Sequence, residues 1–173
     1  MDNQNQTEQW KQIPGYDEYD VSSLGRVRSR KFGGERILRI NTNYSKKGYR
    51  GIMLSKEGKV KMLQISRLLA QSFIPNPEGL PEVDHIDKDR TNDKLENLRW
   101  CTRSQNLLNT RKRSTNKSGI KGISRDKKSW CVRLTVNGKH YRKNFKEIGD
   151  AREYLRGLVD GLDIAEFYHN DAL

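Results

Sequence analysis

The sequence contains few of the residues that form disulfides or zinc sites. Its 173 residues include only two cysteines and three histidines, and these are dispersed along the chain. Zinc sites and disulfide frameworks use such residues at short, regular spacings, so neither is predicted. The two cysteines indicate free thiols, which are typical of a protein in a reducing compartment.

Long apolar runs are also missing. Hydrophobic residues make up 33% of the chain, and 14 glycines are spread among the rest, which favours several small cores over a single large one. No apolar run approaches the roughly 20 residues of a membrane span, and the polar N-terminus does not have the pattern of a signal peptide. The sequence therefore predicts a cytoplasmic protein that has no membrane partner.

Acidic residues are outnumbered, and the excess of positive charge lies in two blocks. The formal net charge is +12. Residues 25–79 hold 13 Lys and Arg against three Asp and Glu, and residues 101–146 hold 14 against one. The stretch between them, residues 80–100, is mildly acidic. Two basic blocks around it are suited to grip a polyanion such as DNA, although lysines that only solubilise a surface would give the same charge.

The acidic stretch carries the most specific pattern in the chain. Val83 and Asp84 lead into a short predicted strand that contains His85 and ends near Ile86, and the polar residues 87–94 then form a loop. A second strand is predicted from Asn97 to Cys101. Thr102-Arg-Ser-Gln105 fits a capping box, so Asn106 lies about one turn into a helix and can face the hairpin.

These side chains suit the hydrolysis of a phosphodiester. Histidine has an unperturbed pKa of about 6.5, so near pH 7 it is partly neutral and can take a proton from water. Carboxylate and amide oxygens, such as those of Asp84 and Asn106, are ligands that hard divalent ions prefer. An Asp-His pair by itself is more often structural, so the case rests on the whole pattern.

The conjunction of Asp84-His85, Asn97-Leu-Arg-Trp100 and Asn106 resembles the core of the HNH nucleases, a ββα unit that holds one divalent metal. The resemblance implies that His85 is the general base and that Asp84 and Asn106 bind one Mg²⁺ or Mn²⁺. It implies further that Asn97 braces the loop by hydrogen bonds. Cleavage in this family implies a 5′ phosphate and a 3′ hydroxyl as products.

A second pattern precedes this core. Residues 10–29 carry Trp-Lys-x-Ile-Pro-Gly-Tyr and then Tyr-x-Val-Ser-x-x-Gly-Arg-Val-Arg-Ser, which resembles a module at the start of many phage and intron-encoded HNH homing endonucleases. Strand alternation predicts that Arg26, Arg28 and Arg30 share one face, while Val27 points inward. We expect this sheet to contact DNA; a small sheet without a ligand is the alternative.

The rest of this region has weaker patterns. Further strands are predicted at 36–40, 49–54 and 60–65, with Lys-Gly and Glu-Gly turns between them. Apolar residues at helical spacing predict a helix over 64–74 that stops at Pro75. This apolar stripe is expected to lie in a core.

A third pattern begins after the basic linker 111–117. Strands are predicted at 118–124, 129–136 and 139–145, and a helix at 147–161. Asn137-Gly138 predicts a type I′ turn between the second and third strands. Three strands and one helix with Gly-Ile-x-Gly-Ile, a Trp strand and an Asn-Gly-Lys turn resemble the Apetala-type (ethylene-response-factor-like) DNA-binding domain.

That resemblance implies that the exposed face of the sheet enters a DNA major groove, where arginine can pair with guanine. Alternation along 129–136 places Trp130, Val132, Leu134 and Val136 toward the helix and Cys131, Arg133 and Thr135 away from it. The DNA-facing residues are expected to be Arg133 and Thr135, joined by Lys121, Arg125, Tyr141 and Lys143. A sheet that binds a protein or is purely structural is the alternative. Arg103 is also expected to contact DNA. The linker residues Arg111, Lys112 and Arg113 are expected to lie along a phosphate backbone; a linker that is only solvated is the alternative.

The sequence thus predicts a modular α+β protein with a small N-terminal antiparallel sheet, a ββα-metal core and a C-terminal three-stranded sheet packed on one helix. The predicted domains are a disordered tail at 1–9, a β-rich DNA-contacting module at 10–63, the nuclease core at 64–110, the linker at 111–117, the Apetala-type domain at 118–162 and an acidic tail at 163–173.

The predicted function is a site-directed, metal-dependent endonuclease of the HNH homing type that acts on double-stranded DNA. One set of catalytic residues in a chain expected to be a monomer predicts a nick in one strand. If a phage encodes the chain, its location is the cytoplasm of the host. The alternatives are a DNA-binding regulator with an idle nuclease core and a structure-specific or RNA-directed nuclease.

Overall fold

The computed structural model describes residues 7–42, 45 and 48–168. They form an α+β fold made of several small antiparallel sheets and three α-helices, which confirms the predicted fold class. The chain divides into two compact units, the first ending at Cys101 and the second beginning at Thr102. Within the described ranges no helix has the length and apolar character needed to cross a membrane.

The first unit begins with a four-stranded antiparallel sheet. Its strands, in spatial order, are β1 (Trp10–Ile13), β2 (Tyr16–Ser22), β3 (Val27–Ser29) and β4 (Arg36–Ile37). Val27 is fully buried, as its alternation with three arginines predicts. The strand predicted over 36–40 is only two residues long. Residues 1–6 of the predicted tail lie outside the described part of the chain, whereas Gln9 exchanges hydrogen bonds with Ser23.

A hairpin and a helix complete the core of this unit. Strands β5 (Gly51–Lys56) and β6 (Lys59–Gln64) pair, and helix α1 (Ile65–Phe73) follows directly. The apolar stripe of α1 is buried as its spacing predicts, and the core combines residues of the first sheet, the hairpin and the helix. Its fully or almost fully buried members include Ile13, Val21, Val27, Ile52, Leu54, Ile65, Leu68 and Leu69.

The predicted catalytic hairpin is packed on this core. Strand β7 (Glu82–His85) pairs with β8 (Leu98–Cys101), and a short 3-10 turn, Leu95–Asn97, leads into β8. Leu98 is buried with the core residues of α1. The indole Nε1 of Trp100 donates a hydrogen bond of 3.1 Å to the carbonyl of Ile74. These contacts hold the hairpin against α1.

The second unit contains α2 (Arg103–Leu108), β9 (Ile123–Asp126), β10 (Ser129–Val136), β11 (Lys139–Phe145) and α3 (Ile148–Gly161). The capping box of α2 is present, with the backbone N–H of Gln105 donating to Thr102 and that of Thr102 to Gln105. Asn137 and Gly138 both have positive φ, as a type I′ turn requires. The sheet has the order β11-β10-β9 and packs on α3.

The prediction of a strand over 118–124 is wrong in its extent, because β9 begins only at Ile123. The hydroxyl of Ser118 donates to the carbonyls of Ile120 and Ile123, and the amide of Asn116 donates to the same two carbonyls. Short polar side chains that bond nearby backbone groups favour turns over strands. The segment before Ile123 is therefore a braced turn.

The core of the second unit continues past the predicted boundary at Leu162. Ile164 and Tyr168 are buried with the apolar residues of β10 and α3, and the hydroxyl of Tyr168 donates to the carbonyl of Lys121. Residues 163–168 thus pack as part of the unit instead of forming a separate tail. Residues 169–173 lie outside the described part of the chain.

Replacing Gly122 with alanine is expected to destabilise the second unit by about 2–4 kcal/mol. Gly122 has a φ of +84°, and a Cβ there would lie 2.6 Å from the hydroxyl of Tyr168. Moving that buried ring would break its bond to Lys121. Gly138→Ala is the matched control, because its φ is +78° but its Cβ would meet nothing within 4 Å. Equal losses in denaturant unfolding would contradict the role of Tyr168.

Candidate active site

Asp84 is almost enclosed and is held from the neighbouring strand. In the register of β7 and β8 it lies opposite Arg99, and it is 5% exposed. Both Nε and Nη2 of Arg99 donate to Oδ2 of Asp84, at 3.0 and 2.9 Å. A carboxylate has about four lone-pair positions, so a guanidinium contact and cation coordination are compatible at one group.

His85 is equally enclosed, at 4% exposure, and a buried carboxylate faces its ring. Nε2 of His85 lies 2.8 Å from Oδ1 of Asp93, whose side chain is 1% exposed. The second oxygen of Asp93 accepts a 2.8 Å hydrogen bond from Nε of Arg50. The ring of Tyr49 lies beside that of His85, with 6.0 Å between centroids.

Sequence reasoning did not single out Asp93, Arg50, Tyr49 or Arg99. Arg99 belongs to the Asn-Leu-Arg-Trp pattern. The correct register of the two strands would have placed it opposite Asp84. Asp93 lies in a polar loop that contains several carboxylates, and no neighbouring residue distinguishes it from the others. Arg50 is 43 residues away from Asp93 in sequence, so only the tertiary structure reveals that contact.

Asn97 links the two ends of the loop between β7 and β8. Its amide oxygen accepts from the backbone N–H of Asp87 at 3.0 Å. Its amide nitrogen donates to the carboxylate of Asp87 at 3.0 Å and to the carbonyl of Asn92 at 2.7 Å. The side chain is buried. These bonds fix the loop that carries Asp93, and the catalytic importance of Asn97 stays a prediction.

The carboxylate of Asp87 accepts hydrogen bonds from Asn92 and Asn97 in the same loop. Burial alone would raise the pKa of Asp87, but hydrogen bonds from Asn92, the backbone of Asp89 and Asn97 outweigh it and hold the pKa below its ordinary value. Because the folded-state pKa is lowered, these bonds contribute their full stability above the unfolded-state pKa. That contribution is lost as the pH falls through the folded-state value.

The donor groups suit a metal of the magnesium type. Within the described residues, no cluster of three or more His, Cys, Asp or Glu side chains is arranged to hold a metal ion. Mg²⁺ is commonly bound by one or two carboxylates together with substrate phosphates and water. Asp84 supplies an oxygen donor of that kind. Asn106 lies half-buried on α2, in the second unit, and its role as a ligand stays a prediction from the family pattern.

The three N-terminal arginines have partners within the protein. Arg28 and Arg30 both contact Oδ2 of the buried Asp20, at 2.8 and 3.1 Å, and Arg26 forms an ion pair with Glu8. The guanidinium groups of Arg26 and Arg28 also lie over the ring of Trp10. This cluster stabilises the first sheet, so these arginines have a structural role beside the predicted one.

The sheet of the second unit confirms part of the predicted face. Arg133 and Thr135 are exposed, while Val132, Leu134 and Val136 are buried against α3. Cys131, expected on the exposed face, is buried. The register adds residues that the sequence did not suggest, because Arg142 lies opposite Arg133 and His140 opposite Thr135.

The register also corrects the predicted placement of three residues. Tyr141 pairs with Leu134, Lys143 with Val132, and Arg125 with Trp130, so all three belong to the side that faces the helix. Lys143 accordingly lies over the ring of Tyr154 on α3, 4.9 Å from its centroid. Directly paired residues share a face, so the misplacement followed from an unknown register.

The side chains of the remaining predicted DNA contacts differ in their exposure and in their hydrogen bonds within the protein. The ammonium group of Lys121 donates to the carbonyls of Leu108 and Thr110, and it precedes the sheet instead of lying on it. Lys112 donates to the carbonyl of Gly119 at 3.0 Å. The candidates with exposed side chains in this part of the chain are Arg103, Arg111, Lys112 and Arg113.

Two family models match the chain. One, described as the NUMOD4 motif, covers residues 8–55, and one described as HNH endonuclease covers residues 67–108. The second match includes Asp84, His85, Asn97 and Asn106, which are the residues that the sequence predicts for the chemistry. It also includes Asp93, which contacts His85, and Arg99, which contacts Asp84.

Several curated proteins are similar to the chain. DNA endonuclease I-HmuI of Bacillus phage SP01 is 39% identical over 108 residues, which cover 62% of this chain and 60% of that protein. The uncharacterized HNH endonuclease L245 of Acanthamoeba polyphaga mimivirus is 32% identical over 154 residues, covering 89% and 41%. H-N-H endonuclease F-TflII of Escherichia phage T5 is 33% identical over 105 residues, covering 60% and 52%. The chain thus spans from 41% to 60% of the length of these relatives.

A solved structure extends the similarity over nearly the whole chain. It is that of the HNH homing endonuclease I-HmuI, reported for DNA binding and cleavage, with a TM-score of 0.52 and 33% identity. The match covers 93% of this chain and 91% of the other. With the family pattern placed on a buried hairpin and this similarity along almost all of its length, the chain belongs to the HNH endonuclease family.

Proposed function

We propose that the chain is a DNA endonuclease that hydrolyses a phosphodiester of double-stranded DNA with the help of one Mg²⁺ or Mn²⁺. The observation that carries the proposal is the pair of adjacent buried residues at the end of β7. Asp84 is held by Arg99 and His85 by Asp93, so both functional groups are fixed before substrate binds. The similarity to I-HmuI supports DNA as the substrate.

Each site residue has a separate task in this proposal. His85 accepts the proton of the attacking water. Asp84 would hold the metal through a carboxylate oxygen, and the family pattern assigns the second ligand, an amide oxygen, to Asn106. A bound divalent ion supplies positive charge at the leaving 3′ oxygen. Asn97 keeps the loop in place through the hydrogen bonds described above. The proposed products carry a 5′ phosphate and a 3′ hydroxyl.

The proposed target is one strand of a specific duplex site. The residues matched to the family contain one Asp-His pair, so a monomer would make one cut in each encounter. The homing type is proposed because a solved structure that is similar over 93% of this chain is that of a homing endonuclease. If the chain is encoded by a phage, the cytoplasm of the host would be its place of action.

We also propose two DNA-contacting surfaces. One is the N-terminal cluster of Arg26, Arg28 and Arg30. The other is the exposed face of the β9–β11 sheet, which the Apetala-type resemblance would place in a major groove. Arg133 and Thr135 are its predicted members, and Arg142 and His140 lie directly opposite them. Arginine can pair with guanine in that groove. Arg103, Arg111, Lys112 and Arg113 are proposed to follow the phosphate backbone.

The test is the conversion of a supercoiled plasmid that carries the neighbourhood of this chain's own gene. We expect open circles in Mg²⁺ or Mn²⁺ and no conversion in EDTA. Linear product without an open-circle intermediate would contradict nicking by a monomer. Inhibition by double-stranded RNA as strong as by duplex DNA would instead favour an RNA-directed nuclease.

A further inference from the structure

Asp93 lies against the proposed base but is assigned no role by the family pattern. We infer that Asp93 is a positioning residue, which accepts the hydrogen on Nε2 of His85 and so directs the lone pair to Nδ1, the nitrogen that takes the proton of water. The inference rests on the proposed function, because it concerns how His85 performs that step. Arg50, in turn, fixes the carboxylate of Asp93.

The geometry gives the carboxylate two separate contacts. Oδ1 of Asp93 lies 2.8 Å from Nε2 of His85, and Oδ2 lies 2.8 Å from Nε of Arg50. A buried carboxylate is costly unless a cation or hydrogen bonds compensate it, and Arg50 provides the cation. His85 and Asp93 are both almost inaccessible to solvent, so water does not compete for this contact.

The chemistry of the two groups sets the tautomer. An ionised carboxylate can only accept a hydrogen bond, so the nitrogen facing it must carry the hydrogen. In a neutral imidazole the other nitrogen then has the lone pair. A carboxylate that orients a catalytic histidine in this way is worth a large factor in rate, because the wrong tautomer presents a hydrogen where the base should be.

The ion pair of Arg50 and Asp93 joins two segments of the chain that match different family models. Arg50 belongs to residues 8–55, which match the NUMOD4 motif, whereas Asp93 belongs to residues 67–108, which match the HNH endonuclease model. Both lie in the first unit. The N-terminal module therefore supplies a residue that supports the base of the nuclease core. Its contribution is not limited to the proposed DNA contacts.

The first test is a double-mutant cycle measured by single-turnover cleavage at saturating duplex DNA. Asp93→Asn is expected to lower the rate by about 10²-fold or more, with the Kd for DNA unchanged. In a His85→Ala background it is expected to cause no further loss, because its effect passes through the ring. Asp20→Asn is the matched control, since Asp20 is also buried and held by arginines. Because Asp20 holds Arg28 and Arg30, which are proposed to contact DNA, the Kd of this control is measured as well. The control is expected to lose stability, whereas its rate at saturating DNA is expected to equal that of its parent in each background.

Three outcomes would overturn the inference or its basis. If Asp93→Asn cleaves at the wild-type rate, Asp93 has no positioning role. If it lowers the rate by the same factor with and without His85, its role is structural. If the wild-type protein does not cleave at all while the Asp84 and His85 sites are intact, the proposed function fails as well, and that result is distinct from the first two.

A second measurement needs no variant and so does not depend on the folding of Asp93→Asn. The ¹⁵N shifts of the His85 ring in the wild-type protein report which nitrogen carries the hydrogen when the ring is neutral. We expect the hydrogen on Nε2. A hydrogen on Nδ1 would overturn the inference.

Discussion

His85→Ala is expected to lower the rate of DNA cleavage by about 10²- to 10⁴-fold, the range that a general base contributes. The Kd for duplex DNA is expected to stay unchanged, because a ring that is almost completely buried offers little surface to a polyanion. Cleavage and binding are thus expected to separate in this variant. Single-turnover cleavage and a binding titration on the same duplex measure the two quantities.

His140→Ala is a useful contrast to this variant. His140 lies on the exposed face of β11 opposite Thr135, and its Nδ1 is 2.9 Å from the hydroxyl of Thr135. The His140→Ala substitution is expected to change the Kd for the duplex and not the rate at saturating DNA.

If His85→Ala left a wild-type level of metal-dependent cleavage, another base would have to be found. If neither variant nor the wild type cleaved but all bound tightly, the regulator alternative would stand.

Asp84→Asn is expected to lower cleavage by about 10²-fold or more, because the loss of a ligand charge removes several kcal/mol of stabilisation at the leaving oxygen. The concentration of Mg²⁺ or Mn²⁺ for half-maximal rate is expected to rise. Stability is also expected to fall by about 1–3 kcal/mol, since Arg99 loses an ionised partner in a nearly enclosed position. A metal titration of the single-turnover rate, with thermal unfolding measured alongside, tests these expectations.

The control for this variant is again Asp20→Asn. Asp20 is a buried carboxylate of the same unit that contacts two arginines, so it reports the cost of losing a buried charge without a metal ligand. Its metal titration, measured at saturating DNA because Asp20 holds two of the proposed DNA-contacting arginines, is expected to match that of the wild type. An unchanged metal requirement in Asp84→Asn would remove Asp84 from the metal site.

Local sequence patterns predicted the elements that depend on neighbours in the chain. The capping box of Thr102 and Gln105, the hairpin at Asn137-Gly138 and the helix that ends before Pro75 all form as expected. In each case a few adjacent residues provide the hydrogen bonds, the positive φ angles or the apolar stripe. Such features do not require knowledge of the tertiary fold.

Register was much harder to predict, and it decides which side chains share a face. A shift of one residue moves every side chain of a strand to the opposite face. Arg133 and Thr135 were placed correctly because apolar residues alternate along β10. Strand β11 has no such alternation, and its pairing brings Arg142 to the exposed face where Tyr141 and Lys143 were expected. The positive charge of that strand was evident from the sequence, but the face on which its charged side chains lie was not.

The residues that support the proposed site could not be predicted from the sequence, for a similar reason. Arg50 reaches Asp93 only because β5 and the β7–β8 hairpin pack on one core. Asp93 differs from its acidic neighbours in the loop only by the ring and the guanidinium that it faces. The family pattern identified the residues proposed for the chemistry, whereas their supports depend on contacts between distant segments.

The most direct measurement is the mapping of DNA ends after incubation of the wild-type protein, with Mg²⁺ and at stoichiometric amounts, with DNA from its own gene's neighbourhood. We expect one defined nick on one strand, with a 5′ phosphate and a 3′ hydroxyl, which disappears in EDTA and in His85→Ala. Tight and specific binding of the same duplex without a metal-dependent end under Mg²⁺ or Mn²⁺ would contradict this expectation.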